Sequence, residues 1–240
     1  MSYDWQATLV FLGSLIAMTL AGRFVAFRIP ALQQMRERNR EVDLVKLSRA
    51  RFAEAVKVNN RAGLATNVLF YAAVLPFCLD LSPRPLWRHA VDVVAVLMLY
   101  DGLYYFTHRF VFHGRPMRKI HALHHQARKP TYIDALYVHP LETAIGLTLF
   151  LGSIPLVAAL AGAPLHAGSM AVATLLFTQL NTINHAWVNL PRFPFRTISR
   201  ITEIHAAHHV DMNHGNYATL STAYDRLFGT YEAPVSRPAA

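Results

Sequence analysis

The sequence predicts an all-α protein, an integral membrane helical bundle of about four to five spans. Hydrophobic residues make up 53% of the 240 residues. Charged residues make up 15%, well below the roughly 25% of a soluble domain. The apolar residues stand in blocks long enough to cross a hydrocarbon core about 30 Å thick. The single cysteine, Cys78, excludes intrachain disulfides and metal sites built from several thiolates.

Five apolar blocks are predicted to span the membrane, at residues 7–27, 64–81, 90–107, 141–160 and 167–183. The first has no basic residue before it, so we expect a retained span and not a secretory signal. Residues 29–60 are rich in charge, which fits either an interfacial helix or hairpin or an ordinary solvated helix. Residues 1–240 are predicted to form a single membrane domain. Its N-terminal spans and basic cytosolic segment cover 1–88, and its catalytic region covers 89–235.

The distribution of charge predicts the orientation of the spans. Of the 23 Lys and Arg residues, all except Arg84 and Arg88 fall on one side of a five-span bundle. The positive-inside rule makes that side cytoplasmic, so the N-terminus is expected outside and the C-terminus in the cytoplasm. The net charge of +9 is then explained by topology, and no nucleic-acid partner is expected.

Histidine clusters mark the chemistry of the chain. The motif HxxHH occurs twice, at residues 121–125 and 205–209, and both copies fall on the predicted cytoplasmic side. Neutral imidazole is a common ligand of zinc, iron and copper. Residues three and four apart share a helix face, so each motif is predicted to aim three ring nitrogens at one point. We therefore expect a cytosolic histidine-rich helical cap that holds a metal site.

Nine histidines are candidate ligands, which is more than one ion can hold and so favours a dimetal site. His108 and His113 differ by roughly 140° on an ideal helix, so they can share a site only if the helix loosens near Gly114. The candidates are His108, His113, His121, His124, His125, His185, His205, His208 and His209.

The strings DGLYYFTHRFVFH, HALHH, YVHPLE, NTINHAW, HAAHH, NYA and YDRLFGTY together resemble the fatty acid hydroxylase/sterol desaturase superfamily, from about residue 101 to 231. The resemblance implies a membrane di-iron oxygenase that uses O2 to hydroxylate or desaturate a lipid such as a sterol or fatty acyl chain. It implies two iron ions, for which zinc can substitute in purified protein. No haem-binding module is visible, so electrons are expected from a separate donor, either cytochrome b5-like or a ferredoxin with its reductase.

The resemblance carries the family's metal-binding positions onto the same nine histidines. Asn181 stands where fatty acid hydroxylases have histidine, four residues before His185, and it resembles the asparagine that contacts a metal through water in acyl-CoA desaturases. Asp101 lies two helical turns before His108 and is predicted to accept a hydrogen bond from a ligand imidazole. His139 and Glu142 are predicted to support the ligands in the same way.

Other functions fit parts of the sequence. A zinc-dependent membrane hydrolase would need a glutamate beside the ligands, as in HExxH, and neither motif contains one. A metal transporter would place its site near the bilayer midplane, whereas these histidines follow the ends of spans. A non-catalytic metal-binding membrane protein also fits the histidine pattern, and metal identity with O2-dependent turnover distinguishes it from an oxygenase.

Overall fold

The computed structural model of the chain describes residues 3–186, 190 and 193–234. Trp187 of the NTINHAW string, and Arg192 and Arg237 of the charge count, lie outside the described residues. Within these ranges the structure is almost entirely helical, as predicted. The α-helices are α1 (Trp5–Ala26), α2 (Pro30–Leu47), α3 (Ala50–Ala73), α4 (Leu86–Thr107), α5 (Arg118–His121), α6 (Pro140–Ala161), α7 (Ala167–Asn184), α8 (Arg196–His208) and α9 (Ala223–Leu227).

Two short strands and four tighter or wider helical turns complete the described structure. Strands β1 (Leu79–Asp80) and β2 (Leu165–His166) pair in parallel, with Leu79 opposite Leu165. The 3-10 turns are Leu75–Phe77, His124–Gln126 and Tyr132–Leu136, and a π-helix covers His108–Phe112.

Five helices, α1, α3, α4, α6 and α7, run between two ends of the bundle. At one end the Asp4 backbone N–H donates to Pro76 O at 2.8 Å, beside the β1–β2 pair. At that end Arg84 also forms ion pairs with Asp80 and Asp92. The histidine motifs lie at the other end. The core between the helices is apolar and aromatic, with the rings of Phe150 on α6 and Phe177 on α7 stacked at 3.9 Å.

Three helices of the described chain are long and apolar enough to cross a membrane: Trp5–Ala26, Leu86–Phe112 and Pro140–Ala161. The predicted spans at residues 64–81 and 167–183 fall mostly in α3 and α7, and these two helices are not among those apolar enough to cross a membrane. The second predicted span is also misplaced, because the structure begins α3 at Ala50 and ends it at Ala73, before the turn at Pro76. Both α3 and α7 are less apolar because they carry polar side chains such as Asn59 and Asn181, which line an internal cavity.

The charged residues 29–60 form α2 and the first half of α3, with the break at Ser48–Arg49. The end of α2 is fastened to the cap, because Lys46 Nζ forms an ion pair with buried Asp134 and donates to Thr131 Oγ1 at 2.8 Å. The segment is therefore two helices with a short break, and its position at the membrane surface or in solvent stays a prediction. It packs beneath the loop that follows the first histidine motif.

A π-helix at the end of α4 brings His108 and His113 to one face. The His113 backbone N–H donates to His108 O at 2.9 Å, a five-residue spacing in place of the four of an α-helix. The predicted loosening of the helix is thus confirmed, although it begins at His108. Gly114 permits the tight exit, since an added Cβ there would lie 1.9 Å from Phe110 O.

Replacing Gly114 by Ala is expected to destabilise the protein by about 1–3 kcal/mol, because the turn after the π-helix must shift to admit the methyl group. Gly152→Ala is the matched control, since nothing lies within 4 Å of an added Cβ there. That change is expected to stabilise α6 by up to about 1 kcal/mol. Thermal unfolding of the two purified variants measures the difference. Equal unfolding temperatures would contradict the steric account of Gly114.

Candidate metal centre

The structure brings all nine candidate histidines together in two buried groups. Within each group the nearest ring nitrogens all lie within 4.8 Å of one another, and each group could hold a metal ion. The five-histidine group consists of His108, His113, His121, His125 and His208. The four-histidine group consists of His124, His185, His205 and His209.

The two HxxHH motifs are interleaved between the groups. The outer histidines of the first motif join the five-histidine group, and its middle histidine, His124, joins the other. The second motif does the reverse, because its middle histidine, His208, joins the five-histidine group. The prediction that each motif aims three nitrogens at one point is therefore wrong. Residues i and i+4 point together, while residue i+3 is rotated far enough to face the neighbouring group.

The first motif is also not one regular α-helix. It starts in α5, which ends at His121, and continues through a turn into the 3-10 segment His124–Gln126. The second motif does lie at the end of a regular helix, α8. The two motifs therefore reach the same arrangement from different backbones.

Hydrogen bonds to backbone carbonyls fix the tautomers of three histidines in the five-histidine group. His108 Nδ1 donates to Tyr217 O at 2.7 Å, and His113 Nδ1 donates to Met212 O at 2.8 Å. His208 Nδ1 donates to Gly215 O at 2.7 Å. A carbonyl oxygen only accepts, so each Nδ1 carries the proton and each Nε2 is left with a bare lone pair.

His121 is held in the same tautomer by a carboxylate. Its Nδ1 donates to Glu142 Oε1 on α6 at 2.8 Å, and both side chains are buried. A carboxylate partner raises the basicity of a ligand imidazole and fixes its orientation. Glu142 thus has the supporting place predicted for it.

The bare nitrogens face each other at close range. The Nε2 atom of His121 lies 3.1 Å from the Nε2 atoms of His108, His113 and His125. Lone pairs at this distance repel unless a cation lies between them. Ligand nitrogens at right angles around one ion, each about 2.1 Å from it, lie about 3.0 Å apart. The donor set and its spacing therefore fit a metal ion.

Burial keeps these imidazoles neutral, which metal binding requires. It lowers the pKa of His113 to about 4 and the pKa of His121 to about 3. Burial, together with the nearby His113, also holds the pKa of His208 well below its usual range. Within the described residues, His208 Nε2 is buried and has no hydrogen-bond partner. Such an unpartnered nitrogen among other lone pairs is expected of a ligand atom.

In the four-histidine group, His185 has its tautomer fixed in the same way. His185 Nδ1 donates to Asn181 O at 3.0 Å, one helical turn earlier on α7. Its Nε2 lies 3.1 Å from His124 Nε2 and 3.0 Å from His205 Nε2. His209 Nε2 completes the group at 3.1 Å from His205 Nε2.

The loop at residues 212–221 presents the carbonyls that orient the histidines. Asn216 adopts a left-handed conformation with φ 60°, and its side chain bonds the backbone of Ile204 and Glu232. On either side of this residue, Gly215 O accepts from His208 and Tyr217 O accepts from His108. The NYA string is therefore a structural support of the site.

Two buried aspartates fasten this loop. Asp225 accepts from the backbone N–H groups of Tyr217 and Ala218 at 2.8 and 2.9 Å. Asp101 accepts from Thr219 N at 3.1 Å and from Leu220 N at 2.9 Å. It also accepts from Ser221 Oγ at 2.7 Å.

Asp101 therefore does not hold a ligand imidazole as predicted. Its side chain turns to the C-terminal loop, and the carboxylate beside the ligands is Glu142. The prediction that His139 supports a ligand imidazole is likewise wrong, because its Nδ1 is bonded elsewhere. His139 precedes Pro140 in extended conformation and is the N-cap of α6, where its Nδ1 accepts from Leu141 N at 3.2 Å.

Asn181 lies beside the four-histidine group. Its backbone carbonyl orients His185, and its side-chain Nδ2 donates to Phe177 O at 2.8 Å. The side chain lines a cavity with His124 and His185. A contact between this amide and a metal through water stays a prediction.

A cavity of about 410 Å³ leads from the histidines into the helical bundle. Histidines of both groups line its inner end, and helices α3, α4, α6 and α7 form its walls. Its apolar lining includes Tyr104, Leu147 and Phe177. The volume lies within the range of ligand-binding pockets, about 300–1,000 Å³.

Sequence reasoning missed the backbone carbonyls of Met212, Gly215 and Tyr217. Every residue carries a carbonyl, so no residue type marks such an acceptor. The available signals were indirect, namely a glycine and an asparagine together before Tyr217, which favour a tight turn. An added Cβ on Gly215 would lie 2.0 Å from Thr230 O, which explains the glycine.

Comparison with known proteins gives one family. Residues 93–230 match the family model described as fatty acid hydroxylase. The chain is 34% identical to methylsterol monooxygenase 1 of Rattus norvegicus over 158 residues, which is 63% of this chain and 50% of the relative. No solved structure matches.

Two further curated proteins show the breadth of the similarity. Fatty acid hydroxylase domain-containing protein 2 of Homo sapiens is 29% identical over 140 residues, 58% of this chain and 38% of that protein. Protein CER1-like 2 of Arabidopsis thaliana is 28% identical over 160 residues, 62% of this chain and 25% of that protein. The chain therefore spans half or less of the length of these relatives.

Replacing Glu142 by Ala is expected to lower the affinity of the five-histidine group for Zn²⁺ by about 10–100-fold, because His121 loses the acceptor that fixes its tautomer. Glu142→Gln is expected to lower it less, since the amide oxygen still accepts. Glu54→Ala, at an exposed position on α3, is the matched control. Competition between the purified chain and a chelator measures the affinity. An unchanged affinity in Glu142→Ala would show that His121 needs no carboxylate.

Proposed function

The chain belongs to the fatty acid hydroxylase family, and from this premise we propose that it is a membrane-bound di-iron oxygenase, which uses O2 and external electrons to hydroxylate or desaturate a lipid. One observation supports the proposal above the others. Two all-imidazole groups, with their lone pairs converging, open onto a largely apolar cavity between long apolar helices. A hydrolase or structural zinc site needs neither nine imidazoles nor such a cavity.

The nine histidines of the two groups would hold two iron ions. Imidazole nitrogen is a suitable ligand for iron, and the donor set contains no thiolate. Bound iron supplies the oxidising chemistry that breaks an unactivated C–H bond with O2 and two electrons. The chain's own residues keep the imidazoles neutral, oriented and shielded from bulk water.

The cavity would hold the lipid against the histidines. Some of its polar side chains are already bonded, since Thr143 donates to Asn59 Oδ1, and Asn59 Nδ2 and Asn67 Nδ2 donate to the backbone carbonyls of Leu136 and Gly63 at 3.0 and 2.9 Å. A polar group that already has a hydrogen-bond partner does not need one from the ligand. The cavity therefore presents mainly apolar surface to a bound molecule. Tyr104 and Phe177 would fix the position of the lipid chain by contact. The rat relative's name specifies a methylsterol, and we propose a sterol or acyl lipid as the substrate class.

The proposal includes an orientation and a partner. Three apolar helices make the chain a multi-pass membrane protein, and the distribution of Lys and Arg supports a cytoplasmic position for the histidine cap. Electrons would reach this cap from a separate donor, either cytochrome b5-like or a ferredoxin with its reductase.

His124→Ala and His208→Ala are expected to lower iron content from two ions per chain and to lower O2-dependent turnover by more than about 100-fold, because each change removes one ligand. His166→Asn is the control, since His166 lies at the far end and asparagine can still cap α7. Elemental analysis and mass spectrometry of lipids from cells with and without each variant give the two readouts. Zinc with O2-independent hydrolysis, or metal without turnover, would favour the hydrolase or the non-catalytic alternative.

Asn181 tests the distinction between hydroxylation and desaturation. Asn181→His is expected to keep two metals and to change the ratio of hydroxylated to desaturated product, because it adds a nitrogen beside the four-histidine group. Asn181→Leu is expected to keep the metals and lose turnover through the missing water contact. Turnover per metal and product ratio measure both effects. If Asn181→Leu weakens folding and leaves the product ratio unchanged, Asn181 serves only its hydrogen bond to Phe177.

A further inference from the structure

A second large cavity lies outside the histidine site, between α1, α2 and α7. This α1/α7 groove has a volume of about 800 Å³. Apolar residues such as Met18, Leu32 and Leu175 form most of its lining, and Arg23 and Arg36 lie at its edge. Neither the histidines nor their supporting residues take part in it.

The two arginines are available to an anion. Arg23 is exposed in the last turn of the α1 span, and Arg36 is half-buried on α2 with its guanidinium 4.2 Å from the centre of the Phe27 ring. Among the described residues, neither guanidinium forms an ion pair with a carboxylate. The lining also contains Asp43, which already accepts hydrogen bonds from Ile133 N and Thr131. The groove therefore combines a mostly apolar lining with a net positive charge.

The groove adjoins the cavity that reaches the histidines. Leu136 and Thr182 line both spaces, so only these side chains and their neighbours separate them. A chain that lies in the groove needs to pass only this wall to reach the metal cavity. An amphipathic molecule would fit this arrangement. Its charged group would meet the arginines, and its apolar chain would lie along the groove as far as the wall shared with the metal cavity.

We propose that the α1/α7 groove binds a bilayer lipid with an anionic head group, held by Arg23 and Arg36, whose acyl chain passes between Leu136 and Thr182 toward the histidines. Each arginine near a membrane surface attracts anionic lipid. The apolar groove adds selection for a lipid whose acyl chain can lie along it. Binding in the groove does not depend on turnover. The identity of this lipid as a substrate rests on the proposed function.

The test uses the full chain in neutral detergent and phosphatidylglycerol that carries a diazirine at the end of one acyl chain. After photolysis, labelled residues are identified by peptide mass spectrometry, with phosphatidylcholine of the same chain as the comparison. We expect phosphatidylglycerol to label residues of the metal cavity, including Tyr104 and Phe177. Equal labelling by phosphatidylcholine, or labelling confined to the bilayer face of α1, would overturn the proposal.

Paired variants separate the groove from general electrostatic attraction. Arg23→Gln with Arg36→Gln is expected to lower labelling by about tenfold or more. Arg40→Gln with Arg61→Gln removes the same charge at exposed positions outside the groove lining and is expected to leave labelling unchanged. Equal losses in the two pairs would show that bulk charge alone attracts the lipid.

Two further variants test the passage. Thr182→Trp and Leu136→Trp each narrow the shared wall, and both are expected to retain phosphatidylglycerol in native mass spectrometry while losing the labels on Tyr104 and Phe177. Retained labels in the cavity would exclude a passage at this wall. Since neither readout needs catalysis, a chain without oxygenase activity gives the same answers, and failure of the proposed function is recognised separately.

Discussion

The structure depends on holding nine buried imidazoles with their ring nitrogens turned toward one another. This arrangement is unfavourable without a cation, and in five of the rings an acceptor at the other nitrogen opposes rotation away from it. Backbone carbonyls and Glu142 prevent that rotation by accepting the Nδ1 protons. Burial also disfavours protonation of the rings, because it lowers the pKa of histidines such as His113 and His121. The cap is therefore organised by acceptors as much as by ligands.

Interleaving of the two motifs makes the groups interdependent. Each HxxHH motif gives residues to both groups, so a displacement of α8 changes the ligand set of both. The π-helix at His108–Phe112 serves the same end, because it adds one residue to the turn and aligns two ligands that an α-helix would separate. The bundle below supplies Glu142 and His185 from α6 and α7, so helix packing also sets the geometry of the site.

The sequence allowed the all-helical class, three of the five predicted apolar spans and the convergence of all nine histidines to be predicted, because spacing and hydropathy are local properties. It did not show how the motifs divide between two groups, since i+3 and i+4 neighbours are compatible with one site or two. Asp101 was assigned to the ligands by its position along α4, but a carboxylate bonds whichever donors the fold brings to it. Here these are the N–H groups of Thr219 and Leu220 and the hydroxyl of Ser221. Backbone acceptors such as Tyr217 O carry no sequence signal.

The late position of the carbonyl loop has a consequence for the synthesis of the protein. Chains fold largely from the N-terminus as they leave the ribosome, and α1, α4, α6 and α7 all precede residues 212–225. The helices can insert into the bilayer while His108 and His113 still lack the carbonyls that orient them. Orientation of these two histidines must wait until residues 212–225 emerge. The two histidine groups are thus completed after the helices form, and an ion that met the first motif alone would find an incomplete set of nitrogens.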